Sequence, residues 1–246
     1  MILSRLTKAI REQNWFAVAL EFLIVVAGVL LAFQITAWNA ERAEIEREAA
    51  YLHRLEAELM AITVELDTME TAINAYFNWV EIFFDGVENG DPERAQQGSW
   101  GLNAITSVEI VNLEPAALRE MISAGELTLI RNDALRSALS SIPQMHSNSQ
   151  ASLEQMASDL SPIAFEISGH FEARLDDVRD ISQGGYGAQT IQFDFDAVSR
   201  NEELLRRINY AALQNRFQAA HFVRYRAEIE SIREQVTHEI DARGFR

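Results

Sequence analysis

The sequence predicts an all-α protein in which one N-terminal transmembrane helix continues into an extramembrane antiparallel bundle of long, four-helix-like architecture. Three observations carry this. Nineteen residues, 22 to 40, pass without a charge. Residues 41–84 contain neither glycine nor proline, and their apolar positions recur every seven residues. A second long periodic stretch closes the chain. The division expected is an N-terminal segment over residues 1–14, a span over 15–39 and a helical extramembrane domain over 40–246.

The span comes first. The reading FLIVVAGVLLAFQITAWNA extends backwards through Trp15, Phe16, Val18 and Leu20. At about 1.5 Å of rise per residue, the helix between Trp15 and Trp38 matches a hydrocarbon core of roughly 30 Å. Both tryptophans fall at headgroup level, where amphipathic rings settle. A cleaved secretory signal would share the basic leader Arg5, Lys8 and Arg11. Its apolar core, however, runs for roughly 7–15 residues, shorter than this one, and Trp38 with Asn39 makes a poor cleavage site. Three basic residues precede the span and two, Arg42 and Arg47, follow it closely. By the excess of Lys and Arg on the cytoplasmic side, the N-terminus lies inside and the C-terminal domain outside the cytoplasm.

Within the span Glu21 stands out, because a carboxylate in hydrocarbon faces a partner, water or the interface. Gly28 and Ala32 form a small-xxx-small pair that admits close helix approach, and Gln34 and Thr36 offer polar groups to a neighbouring helix. Trp15, Glu21, Gly28, Ala32, Gln34, Trp38 and Asn39 are therefore the candidate residues for the membrane interface and helix packing.

Beyond the span, Ile45, Leu52, Leu59, Leu66, Ile73 and Val80 form one register. Leu55, Ile62, Met69, Tyr76 and Phe83 form its companion, with only Glu48 out of pattern. A repeat of 3.5 residues is that of a helix packed at a shallow angle, and the span is expected to run straight into it. Gly86, Gly90, Asp91 and Pro92 are expected to stop it, with a polar loop through Gly98 and Gly101. A short helix is expected from Pro115 to Ala124, with Gly125 accepting a left-handed backbone at its end. Leu127, Leu129 and Ile130 should tuck into the core. Asn132 or Asp133 caps a helix to about Ser141. A further helix, from about His146 to Val178, should bend at Pro162. Ile181 to Val198 reads as a loop with one short strand at Ile191, Phe193 and Phe195. Ser199 or Asn201 opens the last helix, to about Ala242. Its stripe is Leu204, Ile208, Ala211, Phe222, Ile229, Ile232, Val236 and Ile240, and it should lie along the first long helix.

Composition narrows the function classes. The chain has 37 acidic and 21 basic residues, a net of −16, with 48% apolar residues and no cysteine. Removing residues 1–40, with three basic and two acidic residues, leaves 18 basic and 35 acidic, a net of −17 for the rest. Such a surface repels nucleic acid, so no nucleic-acid partner is expected. Disulfides, thiolate metal sites and cysteine nucleophiles are excluded outright. Di-iron bundles use Glu-x-x-His pairs, and none occurs. Glu166/His170 and Glu234/His238 are i, i+4 neighbours that would hold a metal only with ligands from other helices. His53, His146 and His221 stand apart from them. The stretch Gly98-Ser99-Trp100-Gly101 lacks the spacing of a nucleophile elbow. The Gly184-Gly185-Tyr186-Gly187 loop lacks the lysine of a phosphate cradle. Asp176/Asp177 and Asp194/Asp196 read as solvated surface, with calcium at the latter pair as the alternative. The aromatic run Tyr76, Phe77, Trp79, Phe83 and Phe84 reads as core beneath an adjoining loop, or else as a docking surface. Neither enzyme activity, cofactor nor metal is expected.

Two segments carry a resemblance. One is Glu21, Gly28, Gln34, Trp38, Asn39, Glu41 and Arg42 followed by Tyr51-Leu52-x-Arg54-Leu55-x-x-Glu58-Leu59. The other is Ser123-Ala124-Gly125-Glu126-Leu127-Thr128-Leu129-Ile130-Arg131-Asn132-Asp133-x-Leu135-Arg136. Together, over about a third of the chain, they resemble a family of uncharacterised bacterial single-pass inner-membrane proteins. The resemblance implies a helical extramembrane domain and implies no activity. The expected function is a non-enzymatic, membrane-anchored interaction protein: an accessory, scaffold or assembly subunit of an envelope complex or of its own oligomer. Its expected partners are the lipid bilayer and other membrane subunits or copies of itself. The alternative is a periplasmic ligand-sensing bundle that signals through a separate partner, since fourteen residues ahead of the span leave no room for an output domain.

Overall fold

A computed structural model describes residues 15–175 and 189–245, with the side chains of 15–17, 103, 173–175 and 189–190 left out. The leader Arg5, Lys8 and Arg11, Asp176/Asp177 and the Gly184–Gly187 loop lie outside the described residues. The chain divides into two units, residues 1–50 and 51–246. Helix α1, Trp15–Asn89, begins in the first and ends in the second.

Over residues 22–40 of the first unit α1 is uncharged and exposed. Phe22, Leu23, Phe33 and Trp38 are each more than 60% exposed, and its most apolar window has a mean hydropathy of 2.5. By length and composition the helix can cross a membrane.

The second unit is a helical bundle with one small hairpin. After α1 come α2 (Pro92–Gly98), α3 (Trp100–Ala104), α4 (Ala116–Ala124), a 3₁₀ turn (Leu127–Leu129) and α5 (Asp133–His170). Strands β1 (Phe171–Leu175) and β2 (Gln189–Phe193), then α6 (Phe195–Ser199) and α7 (Glu202–Arg243), complete it. The heptad registers of α1 are the buried ones. Leu52, Leu55, Leu59, Ile62, Leu66, Ile73, Val80 and Phe83 are all in the core, with Met69 and Tyr76 half-buried. The predicted stripe of α7 is buried from Leu204 to Ile240. The two helices run antiparallel. His53 Nε2 lies 2.9 Å from the Phe245 carbonyl, Thr237 donates to Glu56 at 2.7 Å, and Arg226 sits between Asp67 and Glu70. Farther along, the Arg216 guanidinium covers the Phe77 ring at 4.9 Å. The core forms two clusters, one around Leu59, Met121, Leu139 and Phe222, the other around Phe83, Leu102, Ile163 and Ile208.

Caps fall where the sequence puts them. Asn132 accepts from Ala134 N at 3.0 Å and Leu135 N at 3.2 Å to open α5, and Asn201 accepts from Leu204 N at 3.1 Å to open α7. Gly125 ends α4 at φ +71° and Gly244 ends α7 at φ +69°, a backbone that glycine adopts without a Cβ penalty.

Four expectations are corrected. First, α1 passes Gly86 and stops at Gly90, whose φ of +66° breaks it. Gly86 is an internal contact, where a Cβ would meet the Ala95 backbone. Second, the expected polar loop through Gly98 and Gly101 is helices α2 and α3, laid on α1 so closely that both glycines touch its backbone. Third, the two helices expected on either side of Pro143 are one, α5, which runs through Pro143 and Pro162. A proline removes one hydrogen bond, but Leu139, Ile142, Leu153 and Leu160 on both sides stay buried on one face. Fourth, that helix ends at His170. Phe171–Leu175 is instead a strand, pairing antiparallel with Gln189–Phe193 so that Phe171 faces Phe193. Ile130 is buried as expected, whereas Leu127 and Leu129 are only half-buried.

Candidate functional site

The polar residues that the bundle gathers most densely lie where the start of its first helix meets α4. Tyr51, Arg54 and Glu58 follow one another at helical spacing on α1, one turn apart. Opposite them, Glu120 projects from α4 and Glu126 from the turn after Gly125. The Tyr51 hydroxyl donates to Glu126 Oε2 at 2.8 Å and to Glu120 Oε1 at 3.2 Å. Arg54 Nη2 pairs with Glu120 Oε2 at 2.8 Å. Glu58 Oε2 accepts from Ala117 N at 2.9 Å, in the first turn of α4, where a carboxylate meets unpaired N–H groups and the positive end of the helix dipole. The two segments that carry the family resemblance are therefore joined in space: Tyr51, Arg54 and Glu58 belong to one, and Glu126 to the other.

A second tie lies nearby. Asn132, while capping α5 through its oxygen, donates from Nδ2 to Glu239 Oε2 on α7 at 2.8 Å. Arg136 returns to the Ile130 carbonyl at 2.7 Å. One amide thus joins α5 to α7 across a carboxylate that is only 8% exposed. Asn132→Ala is expected to lose a cap of about 1 kcal/mol and to strand Glu239 at a further ~1 kcal/mol or more. Asn132→Ser keeps a capping oxygen and loses only the tie, so its melting temperature should fall between those of wild type and alanine variant. Equal melting of all three would refute the tie.

The charges fix what this cluster can do. The hydrogen bond to Glu126, followed by burial and by the charges of Glu120 and Glu126, pushes the Tyr51 phenol up to about 12. Arg54, as hydrogen-bond donor, holds the Glu120 carboxyl below the usual carboxylate range. A phenol held protonated beside a carboxylate held ionised forms a clasp between α1 and α4. The raised phenol pKa stabilises the fold in full below an ordinary tyrosine pKa of about 10. That contribution disappears as pH rises from there through about 12. The lowered Glu120 pKa stabilises above the unfolded value of about 4.3 and is lost on acidification through the folded value. Tyr51→Phe should therefore melt below wild type at pH 8, with the gap narrowing as pH passes 10. A gap that stays constant to pH 11 would remove the phenol from the clasp.

The membrane-interface candidates lie apart from this cluster, in the first unit. Glu21, Ala32, Gln34, Trp38 and Asn39 are exposed on α1, and a Cβ at Gly28 would meet nothing within 4 Å. The Trp15 side chain lies outside the described residues. The Thr36 hydroxyl donates to the Ala32 carbonyl of its own helix at 2.9 Å.

Other candidates find structural employment. Glu166 pairs with Arg207 at 2.9 Å, while His170 and His238 are exposed. Among the described residues no three His, Asp or Glu converge as a metal site. Asp194 caps α6 by accepting from Ala197 N at 3.1 Å, and Asp196 pairs with Arg200 at 3.3 Å. Ser99 is buried and donates to the Gln96 carbonyl at 2.8 Å. The aromatic run packs under α2, α3 and the hairpin. Phe83 meets Phe84, Phe171 and Phe193, and Tyr76 and Trp79 meet Trp100 at 5.8 and 6.4 Å.

An open groove of about 350 Å³ lies between α5 and α7, lined by Ser141, Gln144, Met145, Asn148, Arg224, Tyr225 and Glu228. Sequence reasoning missed it, since its polar residues sit on helices about 80 residues apart and no motif links them. Beside it His221, its pKa lowered by burial and by Arg224, packs edge-on to Tyr225 at 6.2 Å. Compared with protein families, with individual curated proteins and with solved structures, the chain matches none.

Proposed function

We propose that this is a single-pass protein of a bacterial inner membrane, N-terminus cytoplasmic and residues 40–246 periplasmic, which acts without catalysis as an accessory, scaffold or assembly subunit. The carrying observation is the helix that leaves the bundle. Nineteen uncharged residues stand on α1 with their large apolar side chains bare, which only a bilayer or neighbouring helices would cover. The polar residues of the bundle support the non-enzymatic part of the reading, because the densest cluster is a clasp between helices. Membership of the resembled family belongs to the same proposal, supported by the meeting of its two segments at Tyr51, Arg54, Glu58 and Glu126.

An alkaline carbonate wash should leave the protein in the membrane pellet, and a C-terminal alkaline phosphatase fusion should be active. Gentle detergent extraction followed by sizing and mass spectrometry should recover the chain in an assembly. Glu21→Lys and Gly28→Leu should each disturb that assembly while the bundle's melting temperature holds. Release by carbonate ends the anchor reading, and unchanged assembly in both variants removes the span as the contact. The groove between α5 and α7 favours ligand sensing as a second reading. It lies at the small end of the range of ~300–1,000 Å³ typical of ligand sites, and Arg224 and Glu228, 3.9 Å apart, offer both charges to a zwitterion.

A further inference from the structure

The two longest helices segregate charge and expose matching faces. Between Arg54 and Arg94 there are ten acidic residues and no lysine or arginine. Between Glu203 and Glu228 there are five arginines and no acid. Part of this complementarity is used inside the bundle, where Arg226 meets Asp67 and Glu70. Arg207 is spent on Glu166 and Asp85 on Arg94, while Arg206 and Arg224 stand exposed, each beside a glutamate of its own helix, Glu203 and Glu228. On α7, Arg206, Tyr210, Leu213, Phe217, Ala220 and Arg224 recur at alternate steps of four and three, all exposed on the side away from the core stripe. Tyr210, Leu213 and Phe217 are 41, 48 and 54% exposed. On α1, Ala57, Ala61, Val64, Thr68, Thr71, Ala75 and Asn78 recur at the same steps, exposed and without one charge. A solvated outer face normally carries charges. A second uncharged heptad seam opposite the buried one is the geometry of a helix packed on both sides.

We propose that the outer face of α7 docks on the outer face of α1 of a second copy of this chain. Contacts within the bundle set the levels. Because Arg216 stands over Phe77 and Arg226 beside Asp67, Phe217 lies level with Tyr76, Leu213 with Val80 and Arg206 with Val87. A neighbour at the same height, which rests on the membrane reading, therefore offers Ala75 and Asn78 to Phe217 and Leu213. It also offers the exposed Glu88 to Arg206 and the exposed Glu65 to Arg224. The apolar centre and both charged ends match, and the antiparallel direction is the one α1 and α7 already adopt within one copy. The contact is heterologous, joining two different faces, so repetition closes into a ring or continues as a row.

The absence of cysteine makes the test clean. Full-length Leu213→Cys and Asn78→Cys chains with different tags, co-expressed and oxidised in their membranes, should form a disulfide between the tags. Leu213→Cys with Ala57→Cys, about six turns away, should not. Phe217→Glu, at an exposed position, should reduce the mass in mild detergent to one copy with unchanged helicity. Products joining only like tags, equal yield with Ala57→Cys, or an unchanged mass for Phe217→Glu each overturn the contact. So does a wild type that stays single while Phe217→Glu loses binding to phosphatidylglycerol vesicles, which would give the face to lipid. Release by carbonate with the cross-link intact supports the contact and refutes only the anchor.

Discussion

Gly98→Ala is expected to destabilise the bundle by about 3 kcal/mol or more, the upper range for forcing atoms into a filled interface. A methyl at this position would lie 2.6 Å from the Trp79 carbonyl oxygen and closer still to the Phe83 backbone. Those atoms belong to α1 and cannot rotate aside as a side chain would, so α2 must lift. With it go the burial of Ala95 and the seat of Leu102 and Ile105, all fully buried. For a domain of this size the melting temperature should drop by roughly 6–12 °C. Trp79 and Trp100, 6.4 Å apart, report the same event, and their near-ultraviolet circular dichroism should weaken while far-ultraviolet helicity persists. A variant that melts within a degree or so of wild type with its tryptophan signal intact would mean that the α1–α2 contact is looser than described.

Phe83→Ala is expected to cost about 3–5 kcal/mol, as full truncation of a buried phenylalanine does. The ring is wholly buried and meets Phe171 of β1 at 6.1 Å and Phe193 of β2 at 5.8 Å. A two-stranded hairpin is marginal alone, and this one is pinned to the bundle through those rings and through the Gln96 amide, which donates to the Ile191 carbonyl. Amide exchange over residues 189–193 should therefore accelerate far more than exchange in α4. Uniform acceleration through both would show the hairpin to be no separate unit. Because Gly98 packs on the Phe83 backbone, the two substitutions share a site, and the double variant should lose less than their sum.

How the sequence announces this fold follows from which signals are local. The long helices are legible because a period of 3.5 or 3.6 residues repeats over many turns, and Asn132, Asn201, Gly125 and Gly244 mark ends by their own side-chain or backbone chemistry. What escapes is decided by distant chain. Gly86, Gly98 and Gly101 look like a loop because glycine weakens helices, yet they are small because another helix touches them. Pro143 looks like a break, and burial on both sides carries the helix through it. Phe171 and Leu175 fit a helical stripe at i, i+4 and a strand equally, and only pairing with Gln189–Phe193 separates the two. The Tyr51–Glu126 clasp is illegible for the same reason, since 75 residues part its ends.

The separation between α1 and its main partner bears on how the protein is made. Leu52, Leu59 and Leu66 share their cluster with Phe222, Ile229, Val236 and Ile240, so the inner seam of α1 is complete only when the last helix has been synthesised. Until residues 202–243 are added, the side of that seam which α7 covers stays open, while Met121, Leu135 and Leu139 of α4 and α5 already belong to its cluster. Arg226, which meets Asp67 and Glu70, comes with that last helix and brings a positive charge to the acidic stretch of α1.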